Sequence, residues 1–247
     1  MRRYLMIGAP VTSVRTPPLL TARLRQLGAP AAVEAVHVEP ESLGAFMDSL
    51  RADLTVDGLM VTMPHKRAIR SHLDALSATA RRAEGVNAVK RLGDRLVGAQ
   101  FDGIALRSAL TTAGADLRAA RVWLAGLGGA GLAIAQALHA RCGALFLSET
   151  DPARLGAALA DLQDVEAVEV GREPAADVII NATPLGMNPD DPSPFSDAAV
   201  TQARIVADIV ADPIATRLVA QARRTGTPLV TGRVMVEHQI APIADWL

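Results

Sequence analysis

The sequence is poor in the groups that mark several protein classes. Cys142 is its single cysteine, which excludes an internal disulfide and fits a reducing, cytoplasmic compartment. Aromatic residues make up only 3%, so the core must be packed from aliphatic and small side chains, and a ligand site must rely on polar and aliphatic groups more than on stacking. Neither sign of charge dominates: 25 Lys and Arg stand against 26 Asp and Glu, which removes the bulk basic footprint of a nucleic-acid binder. No apolar run reaches the roughly 18 residues of a membrane span, and Gly8 and Pro10 end the N-terminal apolar run too early for a signal peptide. The five histidines have no compact ligand spacing and no cysteine pair beside them, so no metal site is expected. What is present is a chain of 247 residues, half of them hydrophobic, enough for two compact domains of roughly 100–150 residues.

Short apolar runs alternate with longer periodic segments, the pattern of an α/β protein whose strands are covered on both faces. Strands are expected at Leu5–Ile7, Ala31–Val38, Gly58–Met63, Val86–Lys90 and Arg95–Val97, and helices at Leu19–Leu27, Glu41–Leu50, His65–Leu76 and Ile104–Thr112. A second series runs from Arg121–Ala125 through an alanine-rich helix to about His139. It continues with strands at Ala144–Leu147, Val165–Val170, Asp177–Asn181, Ala203–Ile209 and Pro228–Val230, with helices at Ala153–Ala160 and Ile214–Arg224. Asn188–Asp197 reads as a loop. In the tail, Val236, Ile240, Ile243 and Leu247 share one helical face, which Pro242 can bend or divide. The expected domains are 1–102 with 231–247, and 103–230.

The order strand, Gly126-x-Gly128-x-x-Gly131, helix is a dinucleotide-binding pattern. Gly126 permits the tight turn, Gly128 leaves room for phosphates and Gly131 allows close helix packing, while the helix N-terminus receives the anion, with Gly129 in the same turn. Glu149, just after the second strand of this series, can accept hydrogen bonds from a ribose and would repel a 2′-phosphate. Asp151 is an alternative with the same electrostatic consequence, and Arg154 can approach from the following helix. A second group is Thr62, His65 and Lys66, with Asn87 and Asp102 further on. A partly desolvated Lys66 can relay a hydroxyl proton and Asp102 can orient it, while Thr62 and Asn87 suit a polyol. Lys66 and Asp102 are expected to meet across an interdomain cleft.

Taken together, the motifs make the chain resemble the shikimate/quinate dehydrogenase family over nearly its whole length. They are Ile7-Gly8-Ala9-Pro10 with Arg15-Thr16-Pro17, Val61-Thr62-Met63-Pro64-His65-Lys66, Gly85-Val86-Asn87-Ala88, and Gly98-Ala99-Gln100-Phe101-Asp102-Gly103. The glycine turn, Asn181-Ala182-Thr183-Pro184-Leu185-Gly186-Met187 and the Met235 to Gln239 region follow in the family's order. The resemblance implies an N-terminal α/β substrate domain completed by the C-terminal tail, and a Rossmann-like dinucleotide domain. It implies oxidation of a ring hydroxyl in a cyclic polyol carboxylic acid, with Lys66 and Asp102 as the catalytic pair. Thr62, Asn87 and Gln239 match substrate contacts; Thr183 and Met187 fall near the cofactor.

Departures from the family pattern bear on both ligands. Val14 and Thr16 stand where two serines are usual, with Ser13 as a neighbouring replacement donor. Met60, Gln100, Phe101 and Ala211 replace an asparagine, an asparagine, a threonine and a tyrosine. Ser148-Glu149-Thr150 replaces the Asn-Arg-Thr of NADP users, so NAD is expected as the preferred cofactor, with NADP admitted. The alternatives are an NADP-dependent shikimate dehydrogenase and a catalytically weak dinucleotide-binding regulatory protein.

Overall fold

Consecutive apolar residues at Leu5–Ile7 and Gly58–Val61 are buried on both faces of a sheet, while Ala31–His37 keeps exposed positions. The computed structural model describes residues 1–11, 15–169 and 172–247. Ser13 and Val14 lie outside the described residues, as does Val170, the end of the strand expected there. Elements in the first part are β1 (Arg2–Gly8), α1 (Thr16–Gln26), β2 (Ala31–His37), α2 (Leu43–Ala52), β3 (Gly58–Val61), β4 (Ala75–Leu76), α3 (Ala78–Arg82), β5 (Ala88–Leu92) and β6 (Arg95–Ala99). They form a mixed sheet of order β2-β1-β3-β5-β6-β4, with β1 parallel to β2 and β3, and β5 antiparallel to both its neighbours. Leu5, Ile7, Leu59, Val61 and Val89 join one core with Leu43, Met47 and Leu50 of α2, while the alternate residues Tyr4, Met6 and Met60 are also buried but outside it.

The segment 65–76 departs from the expected helix. It holds a 3-10 stretch at Ala68–His72 and then turns extended as β4, which pairs with β6. Ile69, Leu73 and Leu76 all pack on the first core, so their helical spacing arises from a 3-10 turn followed by an extended strand that return to the same apolar surface.

The second part contains α4 (Asp102–Thr112), β7 (Arg121–Ala125), α5 (Gly129–Leu138), β8 (Ala144–Ser148), α6 (Pro152–Asp161), β9 (Val165–Ala167), β10 (Val178–Asn181), α7 (Asp197–Gln202), β11 (Ile205–Asp208), α8 (Arg217–Thr225), β12 (Leu229–Thr231) and α9 (Gly232–Trp246). Its sheet runs β12-β11-β10-β7-β8-β9 with every pair parallel. The chain therefore builds outward from β7 on one side, then returns to β10 and builds outward on the other. That reversal is the topological switch point of a doubly wound fold, and the glycine turn follows β7 there. Strand residues alternate between two cores. Val122, Leu124, Leu145, Leu147, Val178 and Ile180 pack with α4 and α5; Trp123, Phe146, Ile179 and Val206 pack with Val200 of α7 and Leu218 of α8. The short helix α7 falls where the sequence pattern marks no helix; its one local signal is Ser196, whose side chain accepts from Ala199 N.

Two compact units divide the chain: Met1–Asp102 with Glu237–Leu247, and Gly103–Val236. Residues 231–236 thus belong with the second unit rather than the first. Thr231 is still in β12, paired with Asp208, and Met235 is part of the core under β7. The tail forms one helix, α9, with Pro242 inside it.

Candidate functional site

Three side chains separated widely in sequence converge on one buried carboxylate in the first unit. Asp102 is 0% exposed; its Oδ2 takes Lys66 Nζ at 2.6 Å, and its Oδ1 takes Asn87 Nδ2 at 3.0 Å and Gln239 Nε2 at 2.6 Å. Both members of the Lys66–Asp102 pair lie within that unit, so they do not meet across two domains as expected: the unit boundary falls just after Asp102. Local backbone contacts hold the pieces. Lys66 sits in the turn after β3, where Val86 N donates to its carbonyl and the preceding His65 is buried against Val38 O at 2.6 Å. Asn87 is pinned on both sides, its carbonyl accepting from Val61 N and its amide donating to Ala99 O, and its Oδ1 accepts Phe101 N. Gln100 completes the approach to Asp102 by accepting its backbone N–H.

The consequence is a fixed cation with donors to spare. An ammonium has three N–H bonds, and among the described residues Lys66 gives one to Asp102 while its side chain remains 17% exposed. Buried Asp102 holds the charge in place and the remaining donors can meet a ligand oxygen. Thr16 is buried at the start of α1 and the Thr62 methyl packs close to Gly8. Of the departures from the family pattern, Met60 is buried and Phe101 packs edge-on against Trp246, with ring centroids 5.7 Å apart.

The glycine turn of the second unit separates two structural glycines from an open one. Gly126 has φ +91, and a Cβ there would stand 2.8 Å from the Ala182 backbone; a Cβ on Gly131 would stand 2.0 Å from Gly126 O. Gly128 precedes α5 without a side-chain cap, and a Cβ on it would meet nothing within 4 Å. The space the sequence assigns to phosphates is therefore beside Gly128, at the N-terminus of α5. Gly131→Ala should cost about 3 kcal/mol of stability through a clash that the backbone cannot relieve. Gly128→Ala should leave the melting temperature nearly unchanged and weaken dinucleotide binding about tenfold by crowding the phosphates. Thermal unfolding and nucleotide titration of the two variants check both outcomes.

Glu149 does not offer its carboxylate outward as expected. Its Oε2 accepts Leu127 N at 2.8 Å, inside the glycine turn, and its Oε1 accepts Thr150 N and Asp151 N; its side chain is 6% exposed. Burial alone would raise the carboxyl, but the Leu127 and Asp151 amides and the Arg154 guanidinium outweigh it and hold the group below the ordinary glutamate range. Arg154 pairs with both acids, at 3.5 Å from Glu149 and 3.1 Å from Asp151, and stays 42% exposed. Thus Glu149 ties the glycine turn to the start of α6, and the exposed charges beyond β8 are Arg154 and Asp151, paired with each other at 42% and 40% exposure. The Thr150 hydroxyl also turns to Glu149, at 3.2 Å. Thr183 bonds to Asn181 Oδ1 through both its amide and its hydroxyl, and Met187 is exposed in the same loop.

Comparison with known proteins bears on this geometry directly. The model of the shikimate dehydrogenase substrate binding domain matches residues 6–89. Shikimate dehydrogenase (NADP(+)) of Pyrococcus abyssi is 34% identical over 97% of this chain and 89% of its own length; that of Thermococcus kodakarensis is 35% identical over 96% and 88%. The crystal structure of shikimate 5-dehydrogenase from Thermus thermophilus in complex with NADP(H) and shikimate superposes with a TM-score of 0.86 at 29% identity, covering 98% of this chain and 92% of that one. The expected NAD preference is overturned by these findings: eight curated relatives, each matched over at least 95% of this chain, carry NADP(+) in their names. The physical reason lies in the partners of the two acids: Glu149 is turned inward onto backbone amides, and Arg154 pairs with both Glu149 and Asp151, so neither acid stands there as an uncompensated charge. By this similarity, which runs through both units and nearly the full length of its relatives, the chain belongs to the shikimate dehydrogenase family.

Proposed function

We propose that this protein is an NADP-dependent oxidoreductase that interconverts a ring hydroxyl and a ketone in shikimate or a close cyclic polyol acid. The observation that carries this reading is the buried Asp102 carboxylate holding Lys66 at 2.6 Å with Asn87 and Gln239 on its other oxygen. In the reducing direction, the Lys66 ammonium donates a hydrogen bond to the ketone oxygen and then its proton; in the oxidising direction the hydroxyl proton passes to Lys66 Nζ. Asp102 orients the lysine. Asn87 and Gln239 fix Asp102 and can turn their remaining groups to ring hydroxyls. The open space at Gly128 and the exposed Arg154 guanidinium fit a dinucleotide with a 2′-phosphate, held by the turn from Gly126 to Gly131 and by Arg154. When bound, that nucleotide supplies or accepts the hydride.

Turnover of the purified protein with NADP⁺ or NAD⁺ against shikimate and quinate tests the proposal. Shikimate-dependent NADPH formation, with kcat/KM at least about tenfold higher for NADP⁺ than for NAD⁺, is expected. Nucleotide binding without turnover on any cyclic polyol acid would instead identify a dinucleotide-binding regulatory protein.

A further inference from the structure

The second unit contains a buried acid that the proposed chemistry does not use. Asp208 ends β11, is 1% exposed, and among the described residues has no cation beside it. Its Oδ1 accepts Asn181 Nδ2 at 3.0 Å and Val210 N at 3.1 Å, and its Oδ2 accepts the Thr216 hydroxyl at 2.5 Å. Burial pushes the Asp208 carboxyl up from the ordinary aspartate range despite these donors. A buried carboxylate without a counter-charge is a costly way to fill space, since an apolar side chain packs there without desolvating a charge.

What the acid specifies is the orientation of an amide. Asn181 and Asp208 are register partners at the ends of adjacent parallel strands. The Asn181 NH2 faces this carboxylate and donates to its Oδ1, and the amide nitrogen also donates to Leu185 O at 2.9 Å. Asn181 Oδ1 is thereby turned toward Thr183, accepting its N–H at 3.0 Å and its hydroxyl at 2.7 Å, and Thr183 Oγ1 accepts Leu185 N. A flipped amide would set oxygen against oxygen at Asp208 and NH2 against N–H at Thr183. The far end of the loop meets the same hub: Gly186 has φ +103, and a Cβ there would stand 2.9 Å from Thr216, which holds Asp208 Oδ2. At the near end, Ala182 and Thr183 abut Gly126.

We propose that Asp208 is the positioning residue of the loop from Ala182 to Met187, setting the Asn181 amide on one side and Thr216 on the other so that the loop keeps its place against the glycine turn. The proposal rests on the reading of this unit as an NADP site. Asp208→Ala takes away one of the two acceptors of the Asn181 NH2 and the acceptor of the Thr216 hydroxyl, which loosens the hold on both ends of the loop, and should raise the Kd for NADPH about tenfold or more, with the loss appearing in KM for NADP⁺ more than in kcat. Asp208→Asn still accepts from Asn181 and Val210 and can donate to the Thr216 oxygen, so it should recover affinity to within about threefold of wild type. A residue serving stability alone would lower the melting temperature of Asp208→Ala without changing the affinity of the folded molecules. Should Asp208→Ala not fold, Asn181→Ala must reproduce the loss, because it breaks the same relay and leaves Asp208 bonded to Val210 and Thr216. Amide hydrogen exchange over residues 182–187 in the nucleotide-free protein separates this proposal from the NADP reading. Faster exchange in Asp208→Ala or Asn181→Ala, with Asp208→Asn like wild type, supports the positioning role even if NADPH is not the ligand. Unchanged exchange, or unchanged affinity in folded Asp208→Ala or Asn181→Ala when wild type binds NADPH, overturns it.

Discussion

Lys66→Ala should lower kcat by about 10²- to 10⁴-fold, the usual contribution of a positioned acid–base group, while the Kd for NADPH stays within about threefold. The substitution removes the proton carrier and also strips Asp102 of its counter-charge, leaving a fully buried carboxylate held, among the described residues, by the Asn87 and Gln239 amides. Breaking a buried pair by deleting one partner costs up to roughly 3–5 kcal/mol, less here because Lys66 keeps some contact with solvent. Lys66→Arg separates the two effects. A guanidinium restores the charge beside Asp102 but does not give up its proton, so this variant should regain stability and remain slow. Thermal unfolding and single-turnover rates on the same preparations distinguish the losses. A folded Lys66→Arg enzyme with wild-type kcat would remove Lys66 from the proton path.

Arg154→Ala should raise KM for NADP⁺ by about 10- to 100-fold and leave NAD⁺ kinetics nearly unchanged, because a charged hydrogen bond to the 2′-phosphate is worth about 1.5–3 kcal/mol. The lower end applies if salt screens this half-exposed guanidinium, so the measurement belongs at low and at physiological ionic strength. Equal losses for both nucleotides would place Arg154 in maintenance of the loop and not in recognition. The partners of Arg154 also alter what to expect of Glu149. On charge alone Glu149→Arg ought to favour NADP, but the carboxylate accepts from Leu127, Thr150 and Asp151. Its replacement leaves those amides without their acceptor next to the phosphate-binding turn, and binding of both nucleotides should fall. Parallel titrations with NADPH and NADH read that outcome.

Where structure follows from neighbours in the chain, the sequence is sufficient. β7, the glycine turn and α5 are one continuous local instruction: an apolar strand, three glycines at defined spacing, then alanine-rich helix. Gly126 and Gly131 are required by contacts within a few residues of themselves and with the adjacent strand end. The two-part α/β architecture is legible for the same reason, since each strand and helix carries its own period. Periodicity fails over 65–76, where a 3-10 turn and a two-residue strand place Ile69, Leu73 and Leu76 on one core as a helix would.

Tertiary structure alone decides which charged groups belong together. Gln239 reaches Asp102 from 137 residues away, and nothing in the local pattern of either residue states that distance. The charge of Glu149 and its place after β8 point to a ribose, yet a carboxylate's role depends on which donors surround it, and Leu127 and Arg154 become its partners only once the turn and α6 have folded. Asp208 is recognisable in the sequence only as an acid at a strand end. Its pairing with Asn181 and Thr216 comes from parallel strand register and a helix start, so its position at the centre of the loop network is a property of the assembled sheet. Sequence thus determined the elements, because their hydrogen bonds and apolar periods are short-range. The fold determined the electrostatics, because burial and partner geometry exist only after distant segments have packed.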